Sequence, residues 1–177
     1  MRTSLVLTVI GNDRPGIVEH LVNQVAAAGA NWEESRMARL AGKFAGLLRV
    51  SVDQARADHL AAQLRTPDFD GLTVVVERTA ESEPPSFRTL LLDLVGNDHP
   101  GIVRDISRVL AQHHVNIEEL ETGLESAPMS GEVLFRARAH LRVPTSVDVN
   151  LLRQRLEELA GELMVDIVFD HDQVETP

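Results

Sequence analysis

The sequence predicts an α+β protein made of two βαββαβ sandwiches in tandem, each an antiparallel sheet with both helices on one face. Three observations lead there. Residues 10–18 read IGNDRPGIV and residues 95–103 read VGNDHPGIV, so the chain repeats itself at an offset of 85. At that same offset Asn31, Glu33 and Glu34 fall on Asn116, Glu118 and Glu119, while Leu5, Leu7 and Thr8 fall on Leu90, Leu92 and Asp93. Such a period is too long for a solenoid and suits one small domain. Between the halves lies RTAESEPPS, residues 78–86, apolar-poor and carrying Pro84 and Pro85, which favour extended backbone over helix. The expected division is a first domain over 1–80, a linker over 81–86, and a second domain over 87–177 that ends in a short tail.

Each half shows the same order of elements. Residues 5–10 and 90–95 are runs of branched apolar side chains closed by Gly and Asn, the pattern of a buried strand. A helix follows in both. Ile17, Val18, Leu21, Val22 and Val25 recur at helical spacing, as do Ile102, Val103, Ile106, Val109 and Leu110, so each helix is expected to lay this face on the sheet. Gly29 is placed to end the first helix. Two extended segments come next, 31–40 with 44–52 and 116–125 with 132–141, turning near Gly42 and Gly131. The second hairpin is expected to be longer by a few residues, since the offset has grown to 89 at those glycines. Helices over 54–65 and 148–160 and strands over 72–79 and 163–170 complete the pattern. Right-handed crossovers fold βαββαβ into the ferredoxin-like sandwich.

Composition narrows the function. Seventeen Lys and Arg stand against 27 Asp and Glu, a formal net charge of −10. That excess repels phosphate backbones, so direct binding to nucleic acid is not expected. There is no cysteine, which excludes disulfides, thiolate metal sites and cysteine nucleophiles and fits a reducing cytoplasm. The apolar run at 5–10 is too short to span a membrane and no cleavage site follows it, so neither anchor nor signal peptide is expected.

The repeated GND-x-PG sits at a strand-to-helix junction. Gly11 and Gly96 permit a tight turn or a close approach, and Asp13 and Asp98 are suited to cap the helix. Pro15 and Pro100 are suited to its first turn. Gly16 and Gly101 leave no side chain over that turn, exposing the amides of Gly16, Ile17 and Val18, and of Gly101, Ile102 and Val103, to a carboxylate. Asp13, Asp98 and the amide oxygens of Asn12, Asn97, Asn31 and Asn116 are acceptors for an ammonium. Against this stands the plain reading that Asp-x-Pro-Gly is only a good helix start. A bare cap, however, needs the Asp alone, whereas here Asn12 and Asn97 recur too, and an Asn follows the proline by sixteen positions both times.

DRPGIV and DHPGIV after an apolar strand, with Asn31-Trp32-Glu33 and Asn116-Ile117-Glu118 after the helix, resemble ACT domains over nearly the whole chain. Two such domains without an attached catalytic or DNA-binding domain resemble the glycine cleavage system transcriptional repressor family. That resemblance implies a non-catalytic regulator answering to a small amino acid, glycine or serine above all, bound where the first loop of one ACT domain meets the early second strand of its partner. The implied ligand contacts are Asn12, Asp13, Arg14, Pro15, Gly16 and Ile17 with Asn31, and Asn97, Asp98, His99, Pro100, Gly101 and Ile102 with Asn116. It also implies control of glycine-cleavage genes through a partner regulator protein, consistent with the acidic charge; formation of a homodimer is compatible with it. No cofactor is called for. Arg14 becomes His99 in the second loop, so the two sites differ in fixed charge.

Other residues attract weaker readings. His113 and His114 with Glu118, Glu119 and Glu121 have metal-ligand chemistry, but they straddle a helix end and a strand where side chains diverge, and a solvated polar corner is preferred. His99 beside Asp98 lacks a nucleophile, leaving a pH-sensitive ligand contact as its minor role. Trp32 is read as a packing residue and residues 153–162 as a solvated amphipathic helix. Two alternatives to sensing remain: an oligomerisation adaptor with ligand-free loops, and a small hydrolase on the same fold, disfavoured because the loop carries an acid where a phosphate cradle needs basic groups.

Overall fold

The computed structural model describes residues 1–65, 71–79, 86–127 and 131–171. The chain divides into two compact units, Met1–Glu83 and Pro84–Pro177. Unit 1 contains β1 (Arg2–Asn12), α1 (Ile17–Ala27), β2 (Asn31–Leu40), β3 (Lys43–Asp53), α2 (Gln54–Leu64) and β4 (Leu72–Thr79). Unit 2 contains β5 (Phe87–Asn97), α3 (Ile102–Gln112), β6 (Asn116–Ser126), β7 (Val133–Pro144), α4 (Val149–Leu163) and β8 (Val165–His171). Each sheet is antiparallel, in the order β2-β3-β1-β4 and β6-β7-β5-β8. This is the βαββαβ order expected, met twice. Of the expected linker, residues 81–85 lie outside the described residues, as do all residues of the tail after His171.

Strand alternation decides which face is buried. Leu5, Leu7 and Val9 of β1, Leu48, Val50 and Val52 of β3, and Leu72, Val74 and Val76 of β4 point to the helix side, where they meet Ile17, Leu21 and Val25 of α1 and Ala57, Leu60 and Leu64 of α2. Unit 2 repeats this with Leu90, Leu92 and Leu94, Ala137, Ala139, Leu141 and Val143, Ile102, Ile106 and Leu110, and Leu152 and Leu156. Each fully buried leucine contributes about 1.5–3 kcal/mol relative to exposure. The helical stripe is narrower than the sequence led us to expect: only the i, i+4 row is buried, and Val18, Val22 and Val103 are exposed at 45%, 42% and 39%. A helix lying on a twisted sheet covers one row fully and leaves the flanking row to the side.

The helix ends show local chemistry at work. Gly29 has φ 70° and follows the cap Ala28; its N–H donates to the Ala26 carbonyl and that of Ala30 to the Val25 carbonyl, a Schellman ending. In unit 2 His114 takes this left-handed place at φ 59°, with the same pair of bonds to Ala111 and Leu110. The β2–β3 turn is Ala41-Gly42, both at positive φ, the two-residue form that matches strand twist. Phe44 faces Gly11 and Phe135 faces Gly96, so the offset reaches 91 and the second hairpin is six residues longer. Both β2 and β6 carry a bulge at the same place, between Trp32 and Glu34 and between Ile117 and Glu119, which leaves Glu33 and Glu118 as the extra residues.

Candidate functional site

In unit 1 the repeated loop is tied to the tip of the neighbouring hairpin. Asn12 ends β1 opposite Lys43, whose Nζ donates to Asn12 Oδ1 at 2.6 Å. The Asp13 N–H donates to the Gly42 carbonyl at 2.9 Å, and Asp13 Oδ2 accepts from Arg39 Nε at 2.6 Å. Asp13 therefore does not cap α1 as expected: its carboxylate is occupied by a guanidinium. The cap position falls instead on Gly16, three residues on, at φ 90°, and no side chain bonds to the first-turn amides. Pro15 precedes that cap instead of starting the helix. The first intrahelical bond runs from the His20 N–H to the Gly16 carbonyl, so the amides of Ile17, Val18 and Glu19 come before it. Nothing lies within 4 Å of where a Cβ on Gly16 would project. Ile17 is buried beneath the mouth, while Asn12, Asp13, Arg14, Pro15 and Gly16 are exposed.

Unit 2 repeats the backbone and changes the side chains. Asp98 N–H donates to the Val133 carbonyl at 3.2 Å, Gly101 caps α3 at φ 109° without a side-chain bond, and the Asp105 N–H donates to the Gly101 carbonyl. Asp98 is likewise no cap, and Pro100 likewise precedes one. The residues standing where Arg39 and Lys43 stand are Leu124 and Leu134, so the Asp98 carboxylate is engaged by no described residue. His99, in the place of Arg14, lies 3.0 Å through Nε2 from the Leu163 carbonyl and is anchored to the end of α4. Arg104 donates to Asp105 through Nε at 3.0 Å and Nη2 at 2.9 Å. Those hydrogen bonds, with the nearby charges of Arg104, Arg108 and His99, hold the Asp105 carboxyl below the usual carboxylate range. Helix α3 thus opens beside a fixed ion pair.

The glycines before the loops have a packing reason. A Cβ on Gly11 would sit 2.6 Å from Leu72 Cδ2 and 2.9 Å from the Gly71 carbonyl oxygen; on Gly96 it would collide with Val165 Cγ1 and sit 2.8 Å from the Val165 Cα. Close approach of β4 and β8 requires them, not a turn.

Asn31 and Asn116 do not join the loops of their own units. Asn31 pairs with Ser51 and Asn12 with Lys43, eight residues apart along β3, or roughly 26 Å at the usual strand rise. Asn116, opposite Arg142 while Asn97 faces Leu134, is displaced in the same way. The structure brings together Asn12, Asp13, Gly16 and the α1 amides, with Arg39 and Lys43 that the sequence reading missed. Their signal was the order β3-β1, which sets the hairpin tip beside the end of β1. His113 is the C-cap of α3, His114 follows it at positive φ, and Glu118 Oε1 pairs with Arg142 Nη2 at 2.7 Å; no metal-ligand cluster forms among the described residues. Trp32 packs against the core of unit 1.

A family model described as ACT domain matches residues 3–77 and again 88–170. The glycine cleavage system transcriptional repressor of Escherichia coli is 27% identical over 161 residues, covering 90% of this chain and 85% of that protein. Among solved structures, an unknown protein from Galdieria sulphuraria superposes with a TM-score of 0.83 at 31% identity, over 97% of this chain and 99% of that one. A candidate glycine cleavage system transcriptional repressor superposes at 0.72 and 22% identity, over 97% and 98%, a likeness of fold. No helix among the described residues is long and apolar enough to cross a membrane. These relatives support a regulatory role. The chain belongs to the ACT-domain family, with one ACT domain in each half and a likeness to the glycine cleavage system transcriptional repressors over nine-tenths of its length.

Proposed function

We propose that this protein is a non-catalytic, amino-acid-responsive regulator of glycine-cleavage genes that works in the cytoplasm through a partner regulator protein and not by binding DNA itself. The observation that carries the reading is the pair of helix mouths, each with a left-handed glycine cap and no side-chain hydrogen bond to the first-turn amides; that of unit 1 is open above Gly16, while Arg104 Nη2 and Asp105 Oδ2 stand 3.0 and 3.3 Å from where a Cβ on Gly101 would project. A carboxylate is the complement of such amides. In unit 2 the Asp98 carboxylate, which has no partner among the described residues, and Asn97 are available to the ammonium, which makes glycine or serine the fitting ligand and Asp98 the freer of the two acids. The net charge of −10 supports a protein partner over a nucleic-acid one. Ligand binding then shifts the population of the form that engages the partner.

A thermal-shift screen of the full chain against the amino acids tests this. Glycine or serine is expected to raise the melting temperature, and Asp98→Ala to reduce the rise more than Asp13→Ala. A flat response across the panel would end the sensing reading, and a specific operator shift by the pure protein would end the partner-mediated one. A second reading has one observation in its favour: Asp13 is already satisfied by Arg39. On that reading the units are ligand-free modules for oligomerisation, including a homodimer, and the oligomeric state is indifferent to amino acids.

A further inference from the structure

We propose that the far end of the first sheet is a second ligand site, separate from the helix-mouth loops, and that it takes a small zwitterion. Unit 1 carries there a basin of about 420 Å³ lined by Arg2, Thr3, Ser4, Glu33, Ser51 and Thr79. Strand register explains how it forms. Ser4 of β1 faces Ser51 of β3 on one side and Thr79 of β4 on the other, so three adjacent strands bring three hydroxyls together. Leu5, Val50 and Val52 point to the core, which sends Ser4 and Ser51 to the sheet face that no helix covers.

The basin has charge of both signs. Arg2 is fixed at its edge, with Nη2 donating to the Ser51 carbonyl at 2.9 Å. Opposite it stands Glu33, the extra residue of the β2 bulge, a device that re-aims a side chain out of the strand's alternation. Glu33 is loosely held: Arg49 Nε lies 3.4 Å from its Oε2, and that N–H is buried without a hydrogen-bond partner. A guanidinium on one side suits a carboxylate, a carboxylate on the other suits an ammonium, and the hydroxyls between serve either. A simple anion would meet the repulsion of Glu33 and a simple cation that of Arg2.

Unit 2 shows that the fold does not demand this arrangement. Phe87 takes the place of Arg2 and Arg142 that of Ser51, so the guanidinium has moved across to the neighbouring strand. It lies 4.0 Å above the Phe87 ring and pairs with Glu118, the counterpart of Glu33, at 2.7 Å. The same two charges are there closed upon each other. The recurring glutamate, far from the loops of its own unit along the sheet, thus lines an open basin in unit 1, held only by the long ion pair with Arg49, and closes a short ion pair with Arg142 in unit 2.

The test is a nitrogen-15 amide titration of the full chain with glycine and with L-serine, repeated with acetate and with methylammonium. Saturable shifts are expected at Arg2, Ser4, Glu33, Ser51 and Thr79, retained in Asp13→Ala and weakened at least severalfold in both Arg2→Gln and Glu33→Gln, each checked for an unchanged spectrum elsewhere. The single-charge probes are expected to give smaller shifts. The proposal is overturned by shifts that do not saturate, by acetate alone reproducing the full effect, or by an undiminished response in the two variants. Shifts at residues 16–18 and 101–103 report the helix mouths independently, so the two sites can fail separately.

Discussion

The loops of the two units share a backbone and differ in what holds them. In unit 1, Arg39 and Lys43 of the hairpin tip take Asp13 and Asn12. In unit 2, leucines occupy both places, and the loop is anchored from the other side by His99 against the end of α4. The duplicated motif therefore specifies a shape, two uncapped helix mouths with a glycine at positive φ, and leaves the electrostatics to residues outside it. A copied motif can keep its geometry and lose its equivalence when a neighbouring strand changes two residues.

The shape itself is best broken where β4 and β8 press on the strand before each loop. Gly96→Ala is expected to cost about 1–3 kcal/mol, the range of overpacking. Its Cβ would meet both the Cα and the branched side chain of Val165. Gly11→Ala is expected to cost less, since the first atom met is the flexible end of Leu72, although the Gly71 carbonyl oxygen at 2.9 Å keeps the cost above zero. Denaturant unfolding of the two variants measures the difference; equal costs would mean that the strand, not the side chain, yields.

This contrast also marks what could be read without coordinates. The repeat at 85, the alternation of Leu5, Leu7 and Val9 and the i, i+4 stripe of Ile17, Leu21 and Val25 are periodic, and periodicity is a property of the sequence itself. The role of Asp13 was misread because capping was argued from its nearest neighbours in sequence. The residue that claims its carboxylate, Arg39, lies 26 positions away and arrives only when β3 has paired with β1. Asn31 was grouped with a loop because the spacing recurs and because the family resemblance sets the early second strand against the loop of a partner domain; strand register decides only that Asn31 is far from the loop of its own unit. The hydroxyl basin was illegible for the same reason, since Ser4, Ser51 and Thr79 meet only through strand register.

A smaller effect sharpens the comparison at the other end of the helices. Gly29 and His114 hold the same left-handed position, and only glycine does so free of Cβ strain. His114→Gly is expected to stabilise unit 2 by about 1 kcal/mol, seen as a higher denaturation midpoint with unchanged slope. The converse, Gly29→His, is expected to cost more than the first gains, because a Cβ there would lie 2.6 Å from Arg56 Nη1 and the guanidinium would have to move. If His114→Gly destabilised, the imidazole would have to be making a contact that outweighs its strain.

The smallest change in stability tests the largest functional claim. Arg39→Leu gives unit 1 the residue of unit 2 and releases the Asp13 carboxylate. Arg39 is 69% exposed and Asp13 30%, so breaking the pair is expected to cost under about 1 kcal/mol. Should amino-acid binding depend on a free carboxylate beside the amides, Arg39→Leu is expected to increase the shifts of the residue 16–18 amides in a glycine or serine titration. Leu124→Arg, which places a guanidinium opposite Asp98, is expected to diminish those at 101–103. The two substitutions move in opposite directions while barely touching the fold, so a general loosening of the chain cannot imitate the result. If neither alters the titration, the acid beside each mouth holds the loop to the hairpin and takes no part in recognition.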